Sequence, residues 1–349
     1  YLAVDESRML ADPARYYKGG KPDLQLFDKK LYEVNPDDKV AIARAAAEEV
    51  LGKDERIISV DSSYSDGEGS SYRLISNGFE GESKSTWFSV SASVSIKGEG
   101  EARPQDYWYD SALFYDKLTK TGIGAKALER VLRKLGQKKA KSGKYTMVVD
   151  PMNVGNLLSP MLSALYGSAL QQKNSFLMDK LDTKVASDLF TLRDEPHAIG
   201  ANGSRYFDNE GVATEPRTVF DKGVLKTYFI DTYNGKKMDI APTISAPSRL
   251  ILTPGDKDLN GLVADIKQGI LVTGFNGGNS NSSTGDFSYG IEGFLIEDGK
   301  LTQPVNEMNV TGNMVTLWNS LVAVGNDPQP NRSWQIPSLV FEGVDFSGL

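Results

Sequence analysis

The sequence predicts an α+β protein, in which a small amino-terminal α/β unit precedes a larger carboxy-terminal domain dominated by antiparallel sheet able to close toward a barrel. Three observations carry this reading. Phe88-Ser-Val-Ser-Ala-Ser-Val-Ser-Ile96 alternates apolar and polar residues without a break, which is the period of a strand with one face in a core and one in water. Helical patterns stand on both sides of it. Beyond Lys144 the chain carries hairpin signatures with few long helices between them, a pattern of antiparallel sheet.

Taken in order, Asn35-Pro36-Asp37-Asp38 is a helix start, with Asn as cap, Pro in the first turn and acids against the positive end of the helix dipole. The apolar positions that follow run to a stop at Gly52. Residues 56–60 and 72–76 are shorter strands flanking 88–96. A second helix puts Leu128, Val131, Leu132 and Leu135 on one face and stops at Gly136. The polar stretch 137–144 marks a boundary between domains at 1–140 and 145–349. Residues 145–149 form a buried strand and 157–170 an apolar helix. Two hairpins join 217–220 to 224–230 through Asp221-Lys222-Gly223, and 291–296 to 300–305 through Glu297-Asp298-Gly299, with Gly supplying the positive φ of each turn. Helices at 259–267 and 313–321 interrupt the sheet. The glycine-rich run 269–290 contains a long mobile loop, 276–285, between strands.

Composition narrows the chemistry. The chain has 349 residues, one histidine, His197, and no cysteine. It therefore has no disulfide and no thiolate, fits a reducing cytoplasm and cannot assemble a conventional zinc site by itself. The net charge of -7 argues against direct nucleic-acid binding; the basic run 130–141 reads as a solvated helix face and loop. No apolar stretch is long enough for a membrane helix. The chain begins at Tyr1 with no Met and is read as truncated at its start. Phosphate-loop spacings are absent from 269–290. His197 reads as an exposed or capping residue, without a nucleophile motif to serve. Asp208, Glu210 and Glu215 around Gly211, together with Asp286, read as loop acids; a carboxylate-only metal or hydrolase site there is the sharper alternative. No cofactor is expected.

Several segments of the second half carry a resemblance. Phe207-Asp-Asn-Glu-Gly-Val-Ala-Thr-Glu-Pro-Arg-Thr-Val219 with Lys222-Gly-Val-Leu-Lys226, then Thr284-Gly-Asp-Phe-Ser-Tyr-Gly290, Pro304-Val-Asn-Glu-Met-Asn-Val-Thr-Gly-Asn313, Val324-Gly-Asn-Asp327 and Pro337-Ser-Leu339 resemble, in this order, stretches of the TldD/PmbA family, once called modulators of DNA gyrase. In the TldD branch a helix carries His-Glu-x-x-x-His. Its histidines and a distant cysteine bind the catalytic metal, and the glutamate acts as acid/base. The corresponding segment here resembles Gly155-Asn-Leu-Leu-Ser159-Pro-Met-Leu-Ser-Ala164. Ser159 and Ala164 stand at the histidine places and Pro160 at the glutamate's. A proline belongs in a first helical turn, so the helix is expected to start near Ser159.

Lys173-Asn-Ser-Phe-Leu-Met-Asp179 resembles the other branch, PmbA or TldE. That likeness implies a non-catalytic subunit that pairs with a TldD-like metallopeptidase and acts on small or unfolded peptides, including maturing peptide antibiotics of the microcin type. It leaves room for self-association. The competing readings are a free-standing hydrolase using Asp208, Glu210 and Glu215 or His197, and a binding protein acting on gyrase.

Overall fold

The computed structural model describes residues 9–349. The first unit consists of helix α1 (Pro36–Glu48), strands β1 (Ile57–Ile75), β2 (Phe79–Ile96) and β3 (Gln105–Ala112), and helix α2 (Ile123–Leu132). The strands form an antiparallel sheet in that order. The start of α1 is as expected, since Asn35 Oδ1 accepts from the Asp38 N–H at 2.9 Å. Phe88, Val90, Ala92, Val94 and Ile96 are buried under Val50, Ile123, Ala127 and Val131. The intervening serines face the other way.

The two short strands expected at 56–60 and 72–76 are the ends of one strand, β1, of 19 residues. Its middle is too rich in Ser, Gly and acids to signal a strand by itself. Continuous pairing with β2 makes it one, helped by Asp66, which binds Lys39 of α1 at 2.7 Å. At about 3.3 Å per residue the β1–β2 hairpin is roughly 60 Å long, so it outruns the helices that cover its base. Its tip reaches the carboxy-terminal core. There Phe79 is buried with Tyr16 and against Phe207, at ring-centroid distances of 5.2 and 5.1 Å.

The rest of the chain runs β4 (Gly143–Val149), α3 (Gly155–Ser163), α4 (Gly167–Gln171), β5 (Leu192–Asp194), β6 (Arg217–Asp221), β7 (Val224–Leu225), α5 (Thr232–Met238), β8 (Leu250–Leu252), α6 (Leu259–Ala264), β9 (Gln268–Ser280), β10 (Asp286–Glu297), β11 (Lys300–Asn313), α7 (Met314–Asn319), β12 (Leu321–Val324), β13 (Trp334–Gln335) and β14 (Leu339–Ser347). Strands β11, β10, β9, β4 and β14 form a ring that β11 and β14 close through Asn309–Ser347, Val310–Phe346 and Thr311–Asp345. The expected barrel is thus present, antiparallel except at β4–β9. A second sheet has the order β13-β8-β5-β6-β7. Helices α3 and α7 pack into the main core, and α6 covers Val148, Leu271, Phe294 and Val340 on another face.

Four local expectations change. The helix expected at 157–170 is two helices, because the chain between them extends at Tyr166 to bridge Phe229; the Gly167 N–H donates to the Phe229 carbonyl at 2.7 Å and the Phe229 N–H to that of Leu165 at 2.9 Å. Helix α3 starts at Gly155 and holds Pro160 in its interior. The carbonyl that Pro160 leaves without a ladder donor belongs to Asn156, a residue on the exposed side of the helix. The first half of the expected mobile loop 276–285 is strand, the end of β9, and residues 281–285 turn between β9 and β10. Its glycines permit the pairing: a Cβ on Gly278 would sit 2.1 Å from the Ser288 carbonyl oxygen. Finally, the return strand expected at 224–230 keeps only Val224–Leu225 in the sheet, since the chain beyond it turns to Tyr166. Both hairpins do turn as expected, with positive φ at Lys222 and Gly223 and at Asp298 and Gly299.

Candidate functional site

The exposed face of the β1–β2 hairpin is rich in serine, and its Ser71, Ser83 and Ser85 form part of the wall of a cleft. Ser91 lies opposite Ser63 and Tyr109, and Ser83 opposite Ser71; the hydroxyl pairs Ser63–Ser91 and Ser71–Ser83 are each 2.9 Å apart. Trp87 lies over Gly67, where a Cβ would stand 2.9 Å from its ring. Tyr107 and Tyr109 of β3 stack on the same face at 6.0 Å. This face looks onto loops of the carboxy-terminal part. At the hairpin end a cavity of about 400 Å³ lies between Arg73, Ser83 and Tyr17 and the loop Arg205–Asn209. A second, of about 350 Å³, shares Leu26, Ser204 and Arg205 with the first and adds Ser85 and Ser333. A third, of about 180 Å³, shares Ser333 with the second and reaches Arg332, Trp334 and the start of α3 at Gly155. The first two share a wall and form one cleft at the hairpin end; the third adjoins it at Ser333 and is lined by the carboxy-terminal part alone.

Buried charges fix the sheet against the barrel. Arg130 binds Asp106 at 3.2 Å and approaches Asp150 at 4.0 Å, while Lys134 binds Asp106 at 3.2 Å and Glu292 of β10 at 2.7 Å. Burial pushes the Asp150 carboxyl up to about 6, against the lowering effect of its hydrogen bonds from Asn153 and of Arg130. Asp150 Oδ1 accepts from the Asn153 N–H at 3.0 Å and from Asn153 Nδ2 at 2.7 Å, which shapes the turn leading into α3.

The positions singled out in the sequence do not converge. Ser159 is exposed and Ala164 is fully buried at the end of α3; five residues correspond to about 140° around a helix. Pro160 has no donor group. A hydroxyl, a proline ring and a methyl are not the ligand set of a catalytic zinc ion, so the metal implied by the TldD-branch motif does not fit α3 of this chain. Among the described residues no group of three or more His, Asp or Glu side chains is placed to hold a metal. Asp208 Oδ1 accepts from the N–H groups of Glu210 and Val212, and Oδ2 from that of Ser245, at 2.8–3.0 Å. Glu210 accepts instead from the N–H and hydroxyl of Thr232, and Glu215 is exposed. Asp286 takes hydrogen bonds from Asn313 and Thr284 at the β9–β10 turn, which hold its carboxyl below the usual range.

His197 is half-buried, and burial followed by the nearby Lys21 pulls its pKa down. Its Nε2 lies 3.1 Å from Thr214 Oγ1. That hydroxyl already donates to the Arg205 carbonyl, so it accepts from His197. The histidine therefore braces the loop that forms the cleft's floor. Arg73, Arg205 and Arg332 escaped the sequence reading because no motif joins them. The one available signal was the unbroken serine register of β2.

Comparisons with known proteins agree with this architecture. Residues 142–348 match the PmbA/TldA metallopeptidase C-terminal domain, and residues 29–135 the central domain of the same proteins. The Metalloprotease PmbA homolog of Haemophilus influenzae is 30% identical over 356 aligned positions, covering 100% of this chain and 77% of that protein. Metalloprotease PmbA of Escherichia coli O157:H7 is 28% identical, covering 94% and 73%. A crystal structure from Bacteroides thetaiotaomicron, named for modulation of DNA gyrase, superimposes with a TM-score of 0.98 at 73% identity, covering 100% of this chain and 80% of that one. TldE of Thermococcus kodakarensis shares the fold, with a TM-score of 0.80 at 23% identity over 99% of this chain and 81% of that one. The chain belongs to the PmbA/TldD metallopeptidase family.

Proposed function

We propose that this chain is a non-catalytic, TldE-like subunit that pairs with a TldD-like metallopeptidase and helps it process small or unfolded peptides in the cytoplasm. The carrying observation is the set Ser159, Pro160 and Ala164 at the positions where the catalytic branch keeps two ligands and its acid/base. The relatives bear the name metalloprotease; in this chain the single histidine is bound to Thr214 and there is no cysteine, so hydrolytic power has to come from the partner. The chain's own part is to hold peptide. Its cleft offers hydroxyls, aromatic rings and guanidinium groups to an extended chain, and the two domains, 1–140 and 145–349, form its two walls. No step of catalysis is assigned to this chain's residues. They bind and orient, and they enclose the peptide away from bulk water.

The partnership is tested by tagging the chromosomal copy and purifying under mild conditions. Recovery of a homologue carrying His-Glu-x-x-x-His is expected. Its absence, with peptide degradation unchanged in a strain lacking this chain, would refute the pairing.

A further inference from the structure

The molecule carries a net charge of -7, yet the inner wall of the cleft is cationic. Arg73 and Lys21 line its hairpin end and Arg332 its far end, with Arg205 on the wall shared by the first two cavities. Among the described residues, none of these four has an ion pair. The Arg205 fork binds Ser248 Oγ and the carbonyls of Ala246 and Pro247, so neutral groups orient it, with the buried Asp194 nearby but not in direct contact. Arg332 is half-buried, with its guanidinium 4.8 Å from the centroid of the Tyr109 ring. Arg73 is half-buried and lies opposite Gly81, beside which the rings of Phe79 and Phe207 pack. The acids on the same walls are differently placed. Asp208 is saturated by backbone N–H groups, and Asp23 and Glu82 are exposed at the hairpin end only. An unpaired guanidinium that is half out of water and fixed on an aromatic plane is a receptor for a carboxylate, which it binds bidentately.

We propose that the cleft selects peptides by their carboxylates, with Arg332 and Arg73 as the reading groups at its two ends and Arg205 between them. This rests on the reading that the cleft takes peptide, and it adds the chemistry of that peptide: acidic side chains, or a free carboxy terminus, on an extended chain. Peptide is favoured over nucleic acid because the cations are few and share their cavity with Asp23 and Glu82, whereas a phosphate backbone is met by a basic stripe free of acids.

The test is fluorescence anisotropy on the full chain with three labelled peptides of equal length. One has glutamates spaced by neutral residues and an amidated terminus. The second replaces each Glu by Gln, and the third is the Gln peptide with a free terminal carboxylate. The Glu peptide is expected to bind about tenfold more tightly than the amidated Gln peptide at low salt, with the difference shrinking as salt rises. Arg332→Gln and Arg73→Gln, each checked for an unchanged melting temperature, should each lower Glu-peptide affinity severalfold and leave the amidated Gln peptide unaffected. Arg332→Lys should retain part of the preference. Tighter binding of the free-terminus peptide alone would support the carboxylate reading and assign its source to the chain end. Equal affinity for all three peptides overturns this inference while leaving the peptide reading intact, as does an unchanged Glu preference in both glutamine variants. Absence of binding by any peptide overturns both. A single-stranded oligonucleotide that displaces the Glu peptide at lower concentration than unlabelled peptide would also overturn the proposal.

Discussion

Asp208→Ala should destabilise the protein severely, by about 3–5 kcal/mol, rather than remove a catalytic group. Asp208 is 2% exposed. Its carboxylate satisfies the N–H groups of Glu210, Val212 and Ser245 at once, tying the loop 204–217 to the segment before β8. Alanine would leave the buried Val212 donor and the half-buried Glu210 and Ser245 donors without their acceptor. Each such group costs about 1–3 kcal/mol before relaxation, and a protein of this kind has about 5–15 kcal/mol to lose. The neighbouring acids provide an internal scale. Glu215→Ala, at an exposed site, should change stability by less than about 0.5 kcal/mol. Denaturant unfolding measures all three positions, with Glu210→Ala expected between the extremes because Glu210 holds the half-buried Thr232. A stable Asp208→Ala protein that had lost only a peptide-cleaving activity would restore the free-standing hydrolase reading.

Trp318→Ala should be comparably damaging, by about 3–5 kcal/mol. Trp318, on α7, is fully buried. Its ring lies 4.4 Å from that of Phe190 and meets Phe341 of the barrel edge-on at 5.5 Å. It therefore joins the barrel to the loop that enters β5, and deletion leaves a void that closely packed neighbours cannot fill. Among the described residues the indole Nε1 has no hydrogen-bond partner. Trp318→Phe removes that uncompensated donor along with part of the volume and should cost clearly less than alanine. Equal losses for Phe and Ala would mean that the indole N–H contributes a bond not seen here. Thermal melting of both variants decides between these outcomes.

What could be read from the sequence divides along physical lines. The strand at 88–96 was legible because its two faces meet different solvents at every step. The helix starting at Asn35 and the two hairpin turns were legible because caps and positive-φ glycines act locally. The middle of β1 was not, since Ser, Gly and Asp form a strand there only because β2 is alongside. The break between α3 and α4 was equally hidden: Tyr166 leaves the helix to reach Phe229, a partner 63 positions later. The extension of β9 into an apparent loop depends on glycines whose value lies in close strand approach, which composition reports as flexibility. The cleft was the least legible part. Its cationic residues come from the hairpin tip, a loop before β6 and a loop before β13, so only the folded chain brings them together.

The most direct test of the central claim is hydrolysis of an unstructured peptide by the purified full chain, alone and then mixed with its catalytic homologue, with zinc supplied in both cases. The account expects no turnover above background from the chain alone and clear turnover from the mixture, exceeding that of the homologue by itself. Turnover by the chain alone, abolished by a chelator and unaffected by rigorous removal of the homologue, would contradict it.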